Sequence, residues 1–186
     1  MIRITAGEFK GMKVITTKEI RPTEEKVRQA LFNILAAVVP DARVMDGYCG
    51  SGALGIEALS RGAAFVTFID NAPDSIICVR DNLDRLGQDL PRSAWRVMQG
   101  EVLDMLPRLG ELEKPFDLII LDPPYDTEEP KRALIDVDRY AMLTSAGILA
   151  IEHHRRVDLP PAVGKLKQLK QHRYGETVLS FYQAAP

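Results

Sequence analysis

From residue 42 onward the chain alternates short apolar runs with stretches of helical spacing, and this alternation restricts the possible folds more than any other feature. The apolar runs are ARVMD (42–46), AFVTFID (64–70), AWRVMQ (94–99), FDLIILD (116–122) and GILAIEH (147–153). Residues 53–61, 73–86, 102–109 and 128–143 fill the gaps with helical periodicity, and Gly62 and Gly87 stop the first two. Strands separated by helices pair in parallel, because each must be reached by a crossover. The stretch KLKQLKQHRYGETVLSFYQ departs from this: two alternating strands flank Tyr174-Gly175 with no space for a helix. They should form an antiparallel hairpin at the sheet edge. The expectation is an α/β domain built on a mostly parallel sheet.

The first forty residues read differently. RITAG and KVITT are short extended segments joined across FKGMK, where Gly11 supplies a turn. Arg21-Pro22 ends them, Thr23 is placed to cap a helix, and Glu24 and Glu25 suit its first turn. Val27, Ala30, Leu31, Ile34, Leu35 and Val38 keep helical spacing up to Pro40. At 186 residues the chain suits one domain, 1–186, with residues 1–22 as a basic N-terminal hairpin extension. No run approaches a membrane span, the start lacks the apolar stretch of a secretion signal, and Cys49 and Cys78 are far apart. A cytoplasmic setting is expected.

Charge is unevenly spread. Residues 1–28 carry a net +3, residues 153–173 a net +5, and the remainder −10, within a total of −2. Basic ends on an acidic body suit a polyanionic partner, since phosphate attraction follows local charge; solvated surface charge is the plainer alternative.

Between the first strand of the alternating region and its helix lies DGYCGSGALG, in which Gly50, Gly52 and Gly55 satisfy G-x-G-x-x-G. Ligands of such sheets sit beyond the carboxyl ends of the strands. Asp70 closes the second strand, twenty residues after Gly50, where it can accept hydrogen bonds from a ribose diol. Asp46 precedes the loop, beside Gly47. A carboxylate there repels a dinucleotide pyrophosphate and attracts the cationic aminoacyl end of S-adenosylmethionine, so the sulfonium cofactor is favoured over a nicotinamide one. Asn71 and Val102 fall at the same strand ends, and Glu101 is either an acceptor for the adenine amino group or a solvated helix-start acid.

The fourth strand delivers LDPPYD. An exocyclic amino group on a base is a weak nucleophile because its lone pair is delocalised into the ring. Two acceptors aimed at its hydrogens, the Asp122 carboxylate and the Pro123 carbonyl, favour the pyramidal nitrogen that attacks a methyl carbon. Pro123 and Pro124 stiffen the segment, and Tyr125 offers a face for the base. Cys49 and Cys78 read as buried small residues, which argues against thiolate chemistry. His153 and His154 point to opposite strand faces, so no metal is expected.

Taken together, RITAGEFKGMKV, RPTEEKVRQALFNIL, DGYCGSGALGIEALSRGA, LDPPY and RYGETVL resemble the bacterial RsmD-type methyltransferases over nearly the whole chain. The resemblance implies a Rossmann-like class I methyltransferase fold, with a seven-stranded mostly parallel sheet, one antiparallel edge strand, and an N-terminal β-hairpin and helix. It implies S-adenosylmethionine-dependent methylation of a guanine N2 amino group in small-subunit (16S) rRNA. By resemblance Asp46, Gly50 and Gly52 fall on the cofactor loop, Asp70 on the ribose acid, Asp122 to Tyr125 on the catalytic motif, and Arg21 and Thr23 near the substrate entrance. Tyr48 stands where the family usually has Phe. The partner is then rRNA or an assembling 30S subunit and the protein a monomer, with Arg3, Lys10, Lys13, Lys18 and Arg21 available for phosphates. A DNA adenine-N6 methyltransferase, a non-catalytic RNA-binding module and a nicotinamide oxidoreductase are the competing readings.

Overall fold

The computed structural model describes residues 1–16, 22–87, 90–124 and 127–185, with the side chains of 22–24 left aside. Two short strands, β1 (Ile2–Arg3) and β2 (Lys13–Val14), pair antiparallel and precede helix α1 (Pro22–Ile34). The alternating region gives β3 (Arg43–Gly47), α2 (Ala53–Ser60), β4 (Phe65–Asp70), α3 (Pro73–Arg85), β5 (Trp95–Gln99), α4 (Val102–Leu112), β6 (Phe116–Leu121), α5 (Glu129–Arg139) and β7 (Leu143–His154). Strands β8 (Ala162–Val163), β9 (Leu166–Tyr174) and β10 (Thr177–Ala184) complete the chain.

The main sheet has the order β5-β4-β3-β6-β7-β10-β9-β8, with β5 to β7 parallel and β10 antiparallel to both neighbours. Alternate residues of each strand face opposite layers, as the period of two demands. Val44, Phe68, Leu118 and Ile120 pack against α1, α2 and α3, whereas Met45, Ile69, Ile119 and Leu121 pack against α4 and α5. Strands covered on both faces are apolar at nearly every position, which is why they read as continuous apolar runs. The chain runs outward from β3 to β5 and then returns to lay β6 on the other side of β3. That reversal opens a crevice at the carboxyl ends of β3 and β6.

The expected fold class stands, with differences in detail. The sheet holds eight strands rather than seven, because Gly164 (φ +53°) turns Ala162–Val163 back onto the start of β9. The reversed strand β10 is not at the edge: it lies between β7 and β9, placing β9 outside it. Helix α5 stops at Arg139 rather than 143, since Ala141 takes a left-handed turn (φ +49°) and the Met142 amide bonds the Val137 carbonyl. Helix α1 gives way to turns after Ile34, before Pro40, and because it begins at Pro22, Thr23 lies inside its first turn rather than ahead of it. The N-terminal ladder is only two residues long per strand. Residues 5–9 leave it to bond α2, and Ile4, Phe9 and Val14 enter the core. Among the described residues no helix is long and apolar enough to cross a membrane.

Candidate active site

Asp46 is the last residue but one of β3, almost wholly buried at 1% exposure. Its Oδ2 accepts the Gly55 amide at 2.8 Å, whereas Oδ1 is buried with no hydrogen-bond partner among the described residues. Burial pushes its pKa up to about 7; the Gly55 amide pulls it down and the Asp70 carboxylate adds to the rise. A buried, unpaired carboxylate oxygen is costly unless a ligand supplies the missing donor, ideally a cationic one. This fits the aminoacyl end of S-adenosylmethionine expected from the sequence.

The glycine loop follows directly on β3. Gly52 adopts a left-handed conformation (φ +76°) as the residue before α2, with Val79 and Phe68 closer than a side chain normally tolerates, at 3.1 and 3.3 Å from a built Cβ. At Gly50 a built Cβ meets nothing within 4 Å, so the loop backbone there borders open space. Asp70, at the end of β4, receives the Gly50 amide on Oδ2 at 2.8 Å and the Ala72 amide on Oδ1 at 2.9 Å. It therefore shapes the loop, and each oxygen keeps a second lone pair for a ribose hydroxyl. The Asn71 amide donates to Glu101 Oε1 at 2.7 Å, joining the ends of β4 and β5. Val102 is buried in the core beneath them and lies 3.4 Å from a Cβ built on Gly47.

Asp122 follows β6, whose register sets Leu121 beside Gly47. The Asp122 amide donates to the Gly47 carbonyl at 3.4 Å, which brings the DPP segment onto the entrance of the glycine loop. Asp122 is exposed, Pro123 buried and Pro124 exposed. The Thr127 hydroxyl donates to the Pro124 carbonyl at 2.9 Å and folds the segment back toward α5. Strand register and these hydrogen bonds thus gather Asp46, Gly47, Gly50, Gly52, Asp70, Asn71, Glu101, Val102 and Asp122 around the carboxyl ends of β3, β4, β5 and β6. Arg3, Lys10 and Lys13 are exposed on the N-terminal hairpin, with the Arg3 guanidinium donating to the Gly11 carbonyl at 3.1 Å. Lys18, Arg21, Tyr125 and the Thr23 side chain lie outside the described residues.

Three site features went unread in the sequence. Tyr48 has φ +61°, and its hydroxyl is buried; burial first, and then a hydrogen bond with Glu129 at the start of α5, raise its pKa. No periodicity marks such a residue. Glu57, a lone acid inside the apolar run ALGIEALS, carried a visible signal: it is fully buried and binds the N-terminal segment. Asn82, on α3, bonds both Ser51 of the glycine loop and Ile15. Burial raises the pKa of the Cys49 and Cys78 thiols, which keeps them protonated. His153 and His154 separate as a strand requires: His153 bonds Ser180 at 2.8 Å and His154 pairs with Glu176 at 3.3 Å.

A mostly parallel sheet in which β10 runs reversed between β7 and β9, a buried acid before a glycine loop and an Asp-Pro-Pro segment beside it define a class I methyltransferase. Within that class the chain belongs to the family described as Conserved hypothetical protein 95, whose model matches residues 2–183. It is 35% identical over 184 residues to YlbH of Bacillus subtilis (strain 168), named a putative rRNA methyltransferase, covering 98% of each chain. It is 29% identical to Ribosomal RNA small subunit methyltransferase D of Escherichia coli (strain K12), covering 98% of this chain and 89% of the relative. The solved structure of the Escherichia coli putative methyltransferase yhhF superposes with a TM-score of 0.84 at 28% identity, over 99% and 98% of the two chains.

Proposed function

We propose that this chain methylates the exocyclic N2 amino group of a guanine in small-subunit (16S) rRNA. At the coarser level the activity is S-adenosylmethionine-dependent rRNA methylation. The observation that carries the reading is the contact between the Asp122 amide and the Gly47 carbonyl, which sets the acceptor segment over the loop that holds the orphaned Asp46 oxygen.

Asp46 and the amides around Gly50 would hold the aminoacyl end, Asp70 the ribose, and Asn71, Glu101 and Val102 the adenine side. When bound, S-adenosylmethionine supplies an electrophilic methyl carbon on a cationic sulfur. Asp122 and the Pro123 carbonyl accept the two amino hydrogens and turn the nitrogen lone pair toward that carbon. The proton that the amino nitrogen would lose on methylation is taken by Asp122 and passed to solvent. Alignment is the larger contribution, because well-oriented intramolecular reactions gain about 7–11 kcal/mol over their bimolecular counterparts. Tyr125 is assigned to stacking of the base, which must come from a loop or leave its stack, since N2 lies on the pairing edge. Arg3, Lys10, Lys13, Arg21 and Thr23 are assigned to the RNA.

In this reading residues 1–186 act as one methyltransferase domain, monomeric and cytoplasmic, with 1–22 as its RNA-facing hairpin and an assembling 30S subunit as substrate. Asp122→Ala should abolish methyl transfer to undermethylated small subunits, by about 10³-fold or more in kcat, while S-adenosylhomocysteine binding stays within about twofold. Wild-type turnover in that variant would overturn the role of Asp122. Nucleoside analysis of the product should give N2-methylguanosine; N6-methyladenosine in DNA would favour the adenine alternative instead.

A further inference from the structure

We infer that Asn82 is a positioning residue that couples ligand occupancy of the glycine loop to the placement of the N-terminal segment carrying Lys10 and Lys13. The link to RNA rests on the function proposed above; the coupling itself does not.

Asn82 sits on α3 at 3% exposure, and its amide bridges two segments far apart in the chain. Oδ1 accepts the Ile15 amide at 2.8 Å, and Nδ2 donates to the Ile15 carbonyl at 2.9 Å. The same Nδ2 donates to the Ser51 carbonyl at 3.0 Å and lies 3.6 Å from Cys78 Sγ. The first two bonds copy a rung of a β-ladder, with a side chain standing in for the partner strand. The third ends in the glycine loop itself, between Gly50 and Gly52. Two carbonyls converge on one amide nitrogen, so the flipped amide would set oxygen against oxygen, and only one orientation satisfies the group.

The other end of the segment is fixed separately. Glu57 on α2 accepts the Thr5 amide at 2.9 Å and the Ala6 amide at 3.2 Å, and the Ser60 hydroxyl accepts the Phe9 amide at 2.9 Å. Residues 5–15 therefore form a strap tied to the two helices that flank the loop, with Lys10 and Lys13 exposed along it. At the α2 end the tie reaches the loop only through a length of helix. At the α3 end it reaches the loop through one side chain. A ligand that settles the Ser51 carbonyl settles Asn82, and through it the backbone of Ile15. By linkage, a partner that settles the strap must then tighten the ligand by the same factor.

A residue with a purely structural task would loosen the strap equally with and without ligand, so the test reads the difference. Amide hydrogen exchange of residues 5–16 is followed in wild type and Asn82→Leu, each free and saturated with S-adenosylhomocysteine. The ligand should slow exchange in wild type by about tenfold, within the usual range of coupling between sites, and should not slow it in the variant. Asn82→Asp, of the same size, keeps the acceptor for the Ile15 amide but loses the donor to both the Ser51 and the Ile15 carbonyls, and should behave like Asn82→Leu even where the latter folds poorly. Equal slowing in wild type and Asn82→Asp, or none in wild type, overturns the inference. In a second arm, an rRNA fragment should tighten S-adenosylhomocysteine binding to wild type and not to Asn82→Asp. Ligand-dependent slowing in a wild-type protein that fails to methylate rRNA supports the coupling and removes the proposed substrate.

Discussion

Asp46 combines two demands that conflict in the free protein, because burial favours its neutral form whereas a cationic ligand needs the carboxylate. With its pKa pushed up to about 7, Asp46 in the proposed role must give up the proton it holds below that pH when a cationic ligand binds. S-adenosylhomocysteine affinity should accordingly weaken as pH falls from 8 to 6, approaching tenfold per pH unit below 7, and calorimetry in buffers of different ionisation enthalpy should detect the released proton. Stability runs the other way. The folded-state pKa lies above the unfolded value of 3.8, so the native chain holds the extra proton between those limits, and the associated stability is lost as pH rises through 7. Asp46→Asn removes that loss. Urea melts should show the variant more stable than wild type at pH 8, by about 4 kcal/mol at most, by roughly 1.5 kcal/mol at pH 5, and little changed at pH 3, with ligand binding weakened throughout. Asp46 was legible from sequence because an acid closing a strand before a glycine loop has few other uses. Tyr48 and Asn82 were not, since the first depends on a backbone angle of +61° and the second on contacts made 31 and 67 residues away.

Helix α2 shows how an element of eight residues serves two ends at once. Its first turn receives Asp46 through the Gly55 amide, and its last turn carries Glu57, Ser60 and, just beyond, Arg61. Glu57 is fully buried between two guanidinium groups, Arg28 at 2.9 Å and Arg61 at 2.9 Å, while the Arg28 guanidinium also donates to the Arg3 carbonyl at 2.9 Å. The chain passes so close to α2 that a Cβ at Gly7 (φ +81°) would fall 1.7 Å from the Ser60 carbonyl oxygen. Arg28→Ala removes one of the two cations on a buried carboxylate and leaves Arg61 in place, so it should destabilise the chain in urea unfolding by less than the roughly 3–5 kcal/mol expected when a buried charge loses its only partner. The double variant with Glu57→Gln should cost less than the sum of the two single ones, by about 1–3 kcal/mol. The elements of the parallel sheet were readable because each strand is apolar on both faces. The N-terminal hairpin was read as longer than it is, because the bonds that end its ladder come from α2, and no local pattern announces a partner fifty residues on.

At the scale of the molecule, charge and topology divide the work. The carboxyl edge of the sheet gathers Asp46, Asp70, Glu101 and Asp122, an acidic crevice poorly suited to holding a polyanion by itself. Cations on the strap can offset this. Lys13 is two residues from Ile15, and Ile15 is bonded to the same amide as Ser51 in the loop, so a phosphate held by Lys13 lies within a few residues' reach of the crevice. The seventeen residues from Leu159 to Gly175 carry four Lys/Arg and no acid, and on β9 Lys167, Lys170 and Arg173 are exposed, but that strand is three places from β6 across the sheet. At about 4.8 Å per strand the separation is roughly 14 Å, enough to engage a flanking nucleotide but not the target itself. Replacing Lys10 and Lys13 with Glu should therefore raise the rRNA KM by tenfold or more at low salt, with S-adenosylhomocysteine affinity unchanged. Each lost contact should reduce the slope of log affinity against log salt by about 0.7 for a single-stranded target. Reversing Lys167 and Lys170 should have a smaller effect on naked rRNA and a larger one on assembled subunits, where distant phosphates are held in place. If the strap variant binds rRNA as wild type does, with the same salt slope, the RNA does not cross the hairpin and must enter from the β9 side.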